Sequence, residues 1–234
     1  MQTAIEFLRS IGVFGVGVLA RLGLFLAMVA VLVVPALVIA AFLRGRATRR
    51  ERALGIREVG GVPFRPDLAY APGHLWLHRR KGNGAFEIGL DGIAQRLLTA
   101  VTAVELAPVG ARLARGEPMA KLYGGRRALE IPAPFDGTVA GVNAAVIRDP
   151  ALVRREGYGR GWLLAVTPSD EAAAALPRGE RAESWMEAEA TRWNRFVEDR
   201  LGFAGADGGA LVAPAPWLLG EEGWRALAEA FLRP

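Results

Sequence analysis

The sequence predicts a mainly β domain that follows an N-terminal apolar helix and precedes amphipathic C-terminal helices. Three features indicate this arrangement: an uncharged apolar stretch, a central region of short apolar runs separated by Gly, Pro or Asp, and a C-terminal part with aromatic residues at helical spacing. We divide the chain into residues 1–43 as a membrane anchor, 44–66 as a basic linker, 67–170 as the β domain and 171–234 as a helical extension.

The anchor is predicted from residues 22–43, which contain no charged residue. A helix of roughly 20 residues, at about 1.5 Å per residue, spans the ~30 Å apolar core of a bilayer. Pro35 is expected to kink this helix because it removes one backbone hydrogen bond. A cleaved signal peptide would have a shorter apolar core and a small-residue cleavage site, so we predict a transmembrane helix.

Basic residues flank the predicted span unequally. Arg9 and Arg21 precede it, and a cluster of five follows: Arg44, Arg46, Arg49, Arg50 and Arg52. By the positive-inside rule, this asymmetry predicts a single-pass protein of the inner cell membrane with its large C-terminal part in the cytoplasm.

The composition excludes several classes of function. The chain has no cysteine, which excludes disulfides, Cys-ligated zinc and thiol nucleophiles. Its two histidines, His74 and His78, cannot form a histidine metal site unaided, and no pair of carboxylates or nucleophile with its base is evident. We therefore predict no metal, no cofactor and no catalytic residue.

The positive charge does not indicate nucleic-acid binding. Of the 29 basic residues, Lys81 and Lys121 are the only lysines, which leaves 27 arginines in a chain of net charge +5. These arginines are scattered and lack the interleaved aromatic residues that single-strand binding uses. An arginine-rich coding bias explains them more simply than an anion-binding surface does.

A tight hairpin is predicted in the middle of the β domain. Its strands are expected at 120–123 and 128–131. Gly124 and Gly125 are expected to supply the positive φ angles of the turn, which would place Arg126 and Arg127 at the tip, pointing into water. Lys121 would then lie within a strand, five residues before the tip.

Other segments have weaker signals. Residues 92–98 are a candidate for a short helix, whereas 57–67 contain Gly60, Gly61, Pro63 and Pro66 and are predicted to be an irregular linker. At the C-terminus we predict an amphipathic helix over 183–201, an extended segment over 203–216 and a second helix over 217–232.

Residues 67–170 resemble the glycine cleavage H protein family at many separate points. Matching positions, in the family's order and spacing, include Tyr70, His74, Trp76, Gly89, Gln95, Glu105, Gly110, Gly116, Pro118, Ala133, Pro134, Gly137, Val139, Asn143, Pro150, Val153, Tyr158, Gly161, Trp162 and Pro168. The resemblance implies the barrel-sandwich hybrid fold of lipoyl domains, in which two small antiparallel sheets fold over each other. It also implies that a lysine at the hairpin tip carries lipoate.

This chain departs from the family at the tip. Aligned without a gap, Arg126 takes the place of the lipoylated lysine and Tyr123 that of a glutamate three residues earlier. A guanidinium stays protonated and has no free lone pair to acylate, so we expect the carrier chemistry to be absent.

The tip and the C-terminal helices are the candidate interaction sites. The tip offers Tyr123, Arg126 and Arg127 to an acidic partner surface or lipid headgroup, or these residues are simply solvated. The helices either cover the β domain or present an exposed aromatic face to another subunit. That face would consist of Trp185, Trp193, Phe196, Trp224 and Phe231.

These observations lead to one main hypothesis and two alternatives. The main hypothesis is a non-enzymatic, membrane-anchored and non-lipoylated relative of the H protein that docks other subunits of a membrane complex. One alternative is a membrane-tethered carrier lipoylated at Lys121 through a shifted hairpin. The other is a sensor whose β domain binds a small ligand.

Overall fold

A computed structural model describes residues 21–25, 27–31, 33–39, 42, 53–82, 84–98, 100–125, 127–201 and 220–232. The chain divides into two compact units, Met1–Ala53 and Leu54–Pro234, which are described separately.

The first unit contains one helix, α1 (Arg21–Ile39), in its described part. This helix has 19 residues, a mean hydropathy of 2.9 and no buried residue in its most apolar window. By length and composition it could cross a membrane, although a signal sequence near an N-terminus has the same properties. The predicted span extends to residue 43, and residues 40, 41 and 43 lie outside the described part.

The second unit is mainly β, as predicted. Its strands are β1 (Arg57–Val59), β2 (Val62–Phe64), β3 (Ala69–Ala71), β4 (Leu75–Arg79), β5 (Phe86–Leu90), β6 (Ala103–Leu106), β7 (Arg112–Leu113), β8 (Pro118–Gly124), β9 (Arg127–Pro132), β10 (Gly137–Val142) and β11 (Leu164–Pro168). They form a six-stranded sheet in the order β3-β4-β5-β11-β10-β7, a three-stranded sheet in the order β6-β8-β9, and the pair β1-β2. Neighbouring strands are antiparallel, as expected. The β1-β2 pair is an additional sheet that the expectation of two sheets does not include.

The predicted hairpin is confirmed as β8-β9, and each strand is longer than expected. Its register pairs Tyr123 with Ala128 and Gly124 with Arg127. Only one of the two glycines has the predicted conformation: Gly125 has φ +64°, whereas Gly124 is not in the left-handed region. Gly124 is required for another reason, because a Cβ there would clash with the carbonyl oxygen of Ala100.

The prediction of an irregular linker before the β domain is wrong for residues 57–64. They form the β1-β2 hairpin, whose turn is made by Gly60 and Gly61 with φ +57° and +78°. Val62 and Phe64 are fully buried. The glycines therefore form a tight turn rather than interrupting structure, and Pro63 is tolerated because this two-stranded pair leaves edges free.

The described part of the chain contains seven helices. After α1 they are α2 (Gly92–Leu97), α3 (Ala144–Arg148), α4 (Leu152–Arg155), α5 (Ala172–Ala175), α6 (Glu180–Leu201) and α7 (Glu221–Leu232). The predicted short helix is confirmed as α2. It begins after Asp91, whose carboxylate accepts hydrogen bonds from the backbone N–H groups of Ile93 and Ala94.

The C-terminal helices cover the β domain. Trp193, Trp224 and Phe231 are at most 8% exposed, and Trp185 and Phe196 are half-buried against the core. The alternative of an exposed aromatic face is therefore wrong for the described residues. Burying such large apolar side chains on the chain's own sheets stabilises the fold by roughly 25 cal/mol per Å². The predicted extended segment over 203–216 lies outside the described part.

We predict that Phe64→Ala lowers the free energy of unfolding by about 3–5 kcal/mol. Phe64 is fully buried and stacks on Tyr70 with 5.0 Å between ring centroids, so truncation leaves a cavity. Chemical denaturation of the full chain, followed by tryptophan fluorescence, measures this loss.

Val109→Ala is the matched control because Val109 is 61% exposed. We expect it to change stability by less than about 0.5 kcal/mol. Equal effects of the two substitutions would show that residues 57–64 do not belong to the cooperative core.

Candidate functional site

The hairpin tip is anchored to the C-terminal helical layer. The Arg127 guanidinium lies 5.2 Å from the centroid of the Trp224 ring on α7, and Arg127 is half-buried. The prediction that Arg127 points freely into water is therefore wrong. Arg126, the residue aligned with the lipoylated lysine, lies outside the described residues.

A shallow apolar depression adjoins this contact at the base of the hairpin. Its lining includes Leu98, Leu122, Leu129 and Trp224. Trp224 comes from α7 and the rest of the lining from the β domain, so the last helix contributes to the immediate surroundings of the hairpin.

Lys121 lies in the middle of the three-stranded sheet and not at a turn. Its register partners are Glu105 on β6 and Glu130 on β9. The Lys121 ammonium lies 3.5 Å from a Glu130 carboxylate oxygen and 5.9 Å from the centroid of the Tyr123 ring. Lys121 is thus one member of a charged row across the sheet, in agreement with its predicted place within a strand.

A second row on the same sheet consists of Tyr123 and its two register partners, Ala103 and Ala128. A hydrogen bond with Glu105 raises the pKa of Tyr123 above its ordinary value, which keeps the phenol neutral at physiological pH. The sheet therefore presents a neutral aromatic residue flanked by small side chains, next to a row of alternating charges.

The most tightly organised polar group in the second unit surrounds His74. His74 is 1% exposed, and its Nδ1 lies 2.8 Å from Oδ2 of Asp91. Its Nε2 lies 3.4 Å from a carboxylate oxygen of Glu189 on α6. The rings of Trp185 and Phe231 lie 5.5 and 5.9 Å from the imidazole. We call these five residues the His74 cluster.

The electrostatics of the His74 cluster favour an ion triad. Burial alone lowers the pKa of His74, but the charge of Asp91 and hydrogen bonds to Asp91 and Glu189 outweigh burial and raise the pKa to about 9. Burial by itself raises the pKa of Glu189. Hydrogen bonds from His74 and Arg192 outweigh burial and lower the pKa of Glu189 below its ordinary value. The raised pKa of His74 and the lowered pKa of Glu189 therefore both favour the charged forms of this pair at neutral pH.

The backbone of His74 is also unusual. Its φ of +58° makes it the single non-glycine residue with positive φ among the described residues. A positive φ is uncommon for residues other than Gly, although Asn, Asp and His adopt it more often than the rest. The contacts of the imidazole on both nitrogens hold the residue in this conformation.

Trp76 and Tyr158 also have structural roles. The Trp76 indole N–H donates to the carbonyl oxygen of Gly157 at 3.0 Å. The Tyr158 hydroxyl donates to the carbonyl oxygen of Pro63 at 2.8 Å and accepts from the N–H of Gly92. Tyr158 therefore ties the β1-β2 hairpin to the start of α2.

Sequence reasoning missed the partners of His74 because Asp91 and Glu189 are distant in sequence. One available signal was Glu189 itself, which lies one helical turn after Trp185 on the buried side of α6. Within the described residues, no group of three or more His, Asp or Glu side chains has the arrangement of a metal site.

We predict that the stability of the protein decreases as pH rises from about 6.5 to 9. Because the folded-state pKa of His74 is raised from 6.5 to about 9, its contribution is complete below pH 6.5 and is lost as pH rises through 9. The difference corresponds to about 3 kcal/mol. Chemical denaturation at several pH values measures this slope.

His74→Asn is the matched variant, since Asn tolerates a positive φ but does not titrate. We expect the difference in unfolding free energy between wild type and variant to narrow across this pH range. A difference that stays constant with pH would contradict a charged His74 in the folded state.

Comparison with known proteins places these features in a family. The family model described as Glycine cleavage H-protein matches residues 68–189. The glycine cleavage system H protein of Mycobacterium avium (strain 104) is 40% identical over 108 residues, covering 46% of this chain and 81% of that protein. That of Shewanella baltica (strain OS155 / ATCC BAA-1091) is 39% identical over 105 residues, with coverage of 45% and 81%.

A solved structure was also matched. The crystal structure of a glycine cleavage system H protein from Mycobacterium marinum is 24% identical, covers 53% of this chain and 99% of that chain, and has a TM-score of 0.45. The family match covers about half of the chain and ends at Glu189, so α7 lies beyond it. On the family match and the two curated relatives, the chain belongs to the glycine cleavage H-protein family.

Proposed function

We propose that this chain is a non-catalytic, non-lipoylated H-protein-like subunit that is anchored in the inner membrane and docks other proteins of a membrane complex. The observation that carries this proposal is the arginine at position 126, where the family resemblance expects the lipoylated lysine. Acylation needs a neutral amine with a free lone pair, and a guanidinium does not provide one.

The position of Lys121 supports the loss of carrier function. A carrier lysine must reach an active site on a swinging arm, whereas Lys121 lies within β8 between Glu105 and Glu130. Moving it to the tip would shift the strand register by several residues. An odd shift would also exchange the buried and exposed sides of β8.

The rigidity of the hairpin supports a docking role. Pairing of β8 with both β6 and β9, together with the Arg127–Trp224 contact, fixes the outer face of the sheet before a partner arrives. Such preorganisation lowers the entropy lost on association. Tyr123 and the adjacent charged row supply the aromatic and polar contacts that protein interfaces favour.

Membrane attachment is supported by the length and hydropathy of α1 and by the arginines that follow residue 43. Anchoring would confine docking to partners at the same membrane. It would also raise their effective concentration near the hairpin.

We predict that the full chain gains no lipoyl mass increment when incubated with lipoic acid, ATP and a lipoate–protein ligase. The variant Tyr123→Glu/Arg126→Lys, which introduces the family's residues at the tip, is expected to become lipoylated at position 126. Intact-mass and peptide mass spectrometry measure both outcomes.

Lys121→Arg is the control for the alternative carrier. A lipoyl increment on the wild-type chain that disappears in Lys121→Arg would assign the carrier function to Lys121 and overturn the proposal. Failure of the double variant to accept lipoate would show that the hairpin tip is not presented as in the family.

We predict that a photo-crosslinking amino acid at Tyr123 or Ala128 captures a discrete protein partner in native membranes. Ala188 on α6 is the matched control because it is also exposed but lies outside the hairpin. Denaturing gels and mass spectrometry of the adducts measure the result. No adduct at either hairpin position, with the chain migrating alone after gentle detergent extraction, would exclude the docking role.

A further inference from the structure

Besides the hairpin, another surface of the second unit, called the β unit below, has the composition of a membrane-contacting region. It is formed by residues 143–163, a segment whose ends meet through a hydrogen bond from the backbone N–H of Asn143 to the carbonyl oxygen of Leu163, at 3.0 Å. Between these ends the chain forms α3, α4 and a series of turns. The segment is therefore a closed loop on the surface, and not an extension of the sheets.

The inner side of this loop is firmly attached to the core. Five of its large side chains are at most 3% exposed: Val146, Leu152, Val153, Tyr158 and Leu163. Asn143 adds polar anchoring, because its side-chain amide donates to the carbonyl oxygens of Arg160 and Trp162 and its oxygen caps α3. The loop therefore has a fixed shape.

The outer side of the loop carries an exposed aliphatic residue among arginines. Ile147 is 49% exposed although it is large and apolar. The exposed cations are Arg148, Arg154, Arg155 and Arg160. We call Ile147 and these four residues the arginine surface.

The loop that carries the arginine surface has more basic than acidic residues. Residues 143–163 contain four arginines and two acidic residues, Asp149 and Glu156. Arg155 pairs with Asp149 at 2.7 Å and Arg160 with Glu156 at 3.5 Å. A net charge of +2 remains on the loop.

An aromatic residue lies at the end of the same loop. Trp162 is half-buried, and the Arg80 guanidinium lies 5.9 Å from its ring centroid. Trp, exposed aliphatic residues and arginine together are typical of protein surfaces at the headgroup level of a bilayer. Anionic headgroups attract such clusters of basic residues.

The chain enters the β unit next to this loop. Leu54 is the first residue of the unit, and its side chain approaches Gly159. Under the proposed function, the residues just before Leu54 are the basic segment that follows the membrane helix. The loop is thus adjacent to the point from which a tether would leave the unit.

We propose that the arginine surface binds the anionic headgroups of the membrane in which the chain is anchored, with Ile147 inserting at the interface. This inference rests on the proposed membrane anchoring and adds a second contact that fixes the orientation of the β unit. The hairpin would then be held in one direction relative to the bilayer, which favours docking of a partner in the same membrane.

The experiment uses the full chain in nanodiscs and exploits the absence of cysteine. An environment-sensitive fluorophore on Ile147→Cys is expected to shift to shorter wavelength in discs with phosphatidylglycerol, and to be quenched by doxyl-labelled lipid. Discs of phosphatidylcholine alone should give neither effect. The same label on Ala188→Cys, an exposed position outside the arginine surface, is the control.

Charge-neutral variants test the arginines themselves. Arg148→Gln/Arg160→Gln added to the labelled chain is expected to abolish most of the shift. Arg112→Gln/Arg181→Gln, which removes the same charge from exposed positions elsewhere, should retain it. Raising the salt concentration should weaken the shift because it screens surface charge.

Several outcomes would overturn the proposal. One is an unchanged emission wavelength of the Ile147→Cys label in chains that co-elute with anionic discs. Another is an equal wavelength shift in neutral discs. A third is a wavelength shift with a soluble acidic polymer but none with anionic discs. If the chain does not co-elute with discs at all, that result contradicts the proposed membrane anchoring by α1 and leaves the arginine surface to be tested separately. Co-sedimentation of the same labelled chain with phosphatidylglycerol vesicles then tests the arginine surface independently of the anchor. Absence of binding would overturn the proposal that this surface binds anionic headgroups.

Discussion

The carboxylate of Asp91 connects the layers of the second unit. One oxygen caps α2, while the other holds the imidazole of His74, which in turn reaches Glu189 on α6. Because Asp91 and His74 are almost completely excluded from water, each would destabilise the fold if its partner were absent. Their mutual pairing removes that penalty, and it also fixes the strained backbone at His74. The position of the C-terminal layer therefore depends on a charge interaction that begins in the β domain.

Aromatic residues of α6 and α7 pack around the His74 cluster and hold the two helices together. Trp193 and Phe231 pack edge to face with 5.1 Å between centroids, and Phe231 also lies against His74. Arg192 lies 4.3 Å from the Phe231 ring centroid and donates to the carbonyl oxygen of Ala230, so it joins α6 to α7. Hydrophobic burial supplies most of the attachment energy, whereas the polar contacts select one arrangement of the helices.

Local patterns predicted the elements that depend on neighbouring residues. The β8-β9 hairpin and α2 follow from a glycine turn and from Asp91 before a short apolar run, both visible within a few residues. The β1-β2 hairpin was missed because its glycines and prolines have the same local signature as a linker, and only the burial of Phe64 distinguishes the two. The partners of His74 and the cover over Arg127 arise from contacts between distant segments, which local propensity and periodicity do not encode.

Under the proposed function, the β8-β9 hairpin keeps its geometry while the arginine at position 126 removes the carrier chemistry. Arg127 pairs with Gly124 across the hairpin, and its guanidinium contacts Trp224. A lysine arm that moves between active sites needs a tip with room around it, whereas a fixed contact surface benefits from support behind it. The helix that supplies this support, α7, lies beyond the residues matched to the family. Under the proposed function, the absence of an acylable amine at position 126 and the contact of Arg127 with α7 are consistent, because both favour a fixed surface over a mobile attachment point.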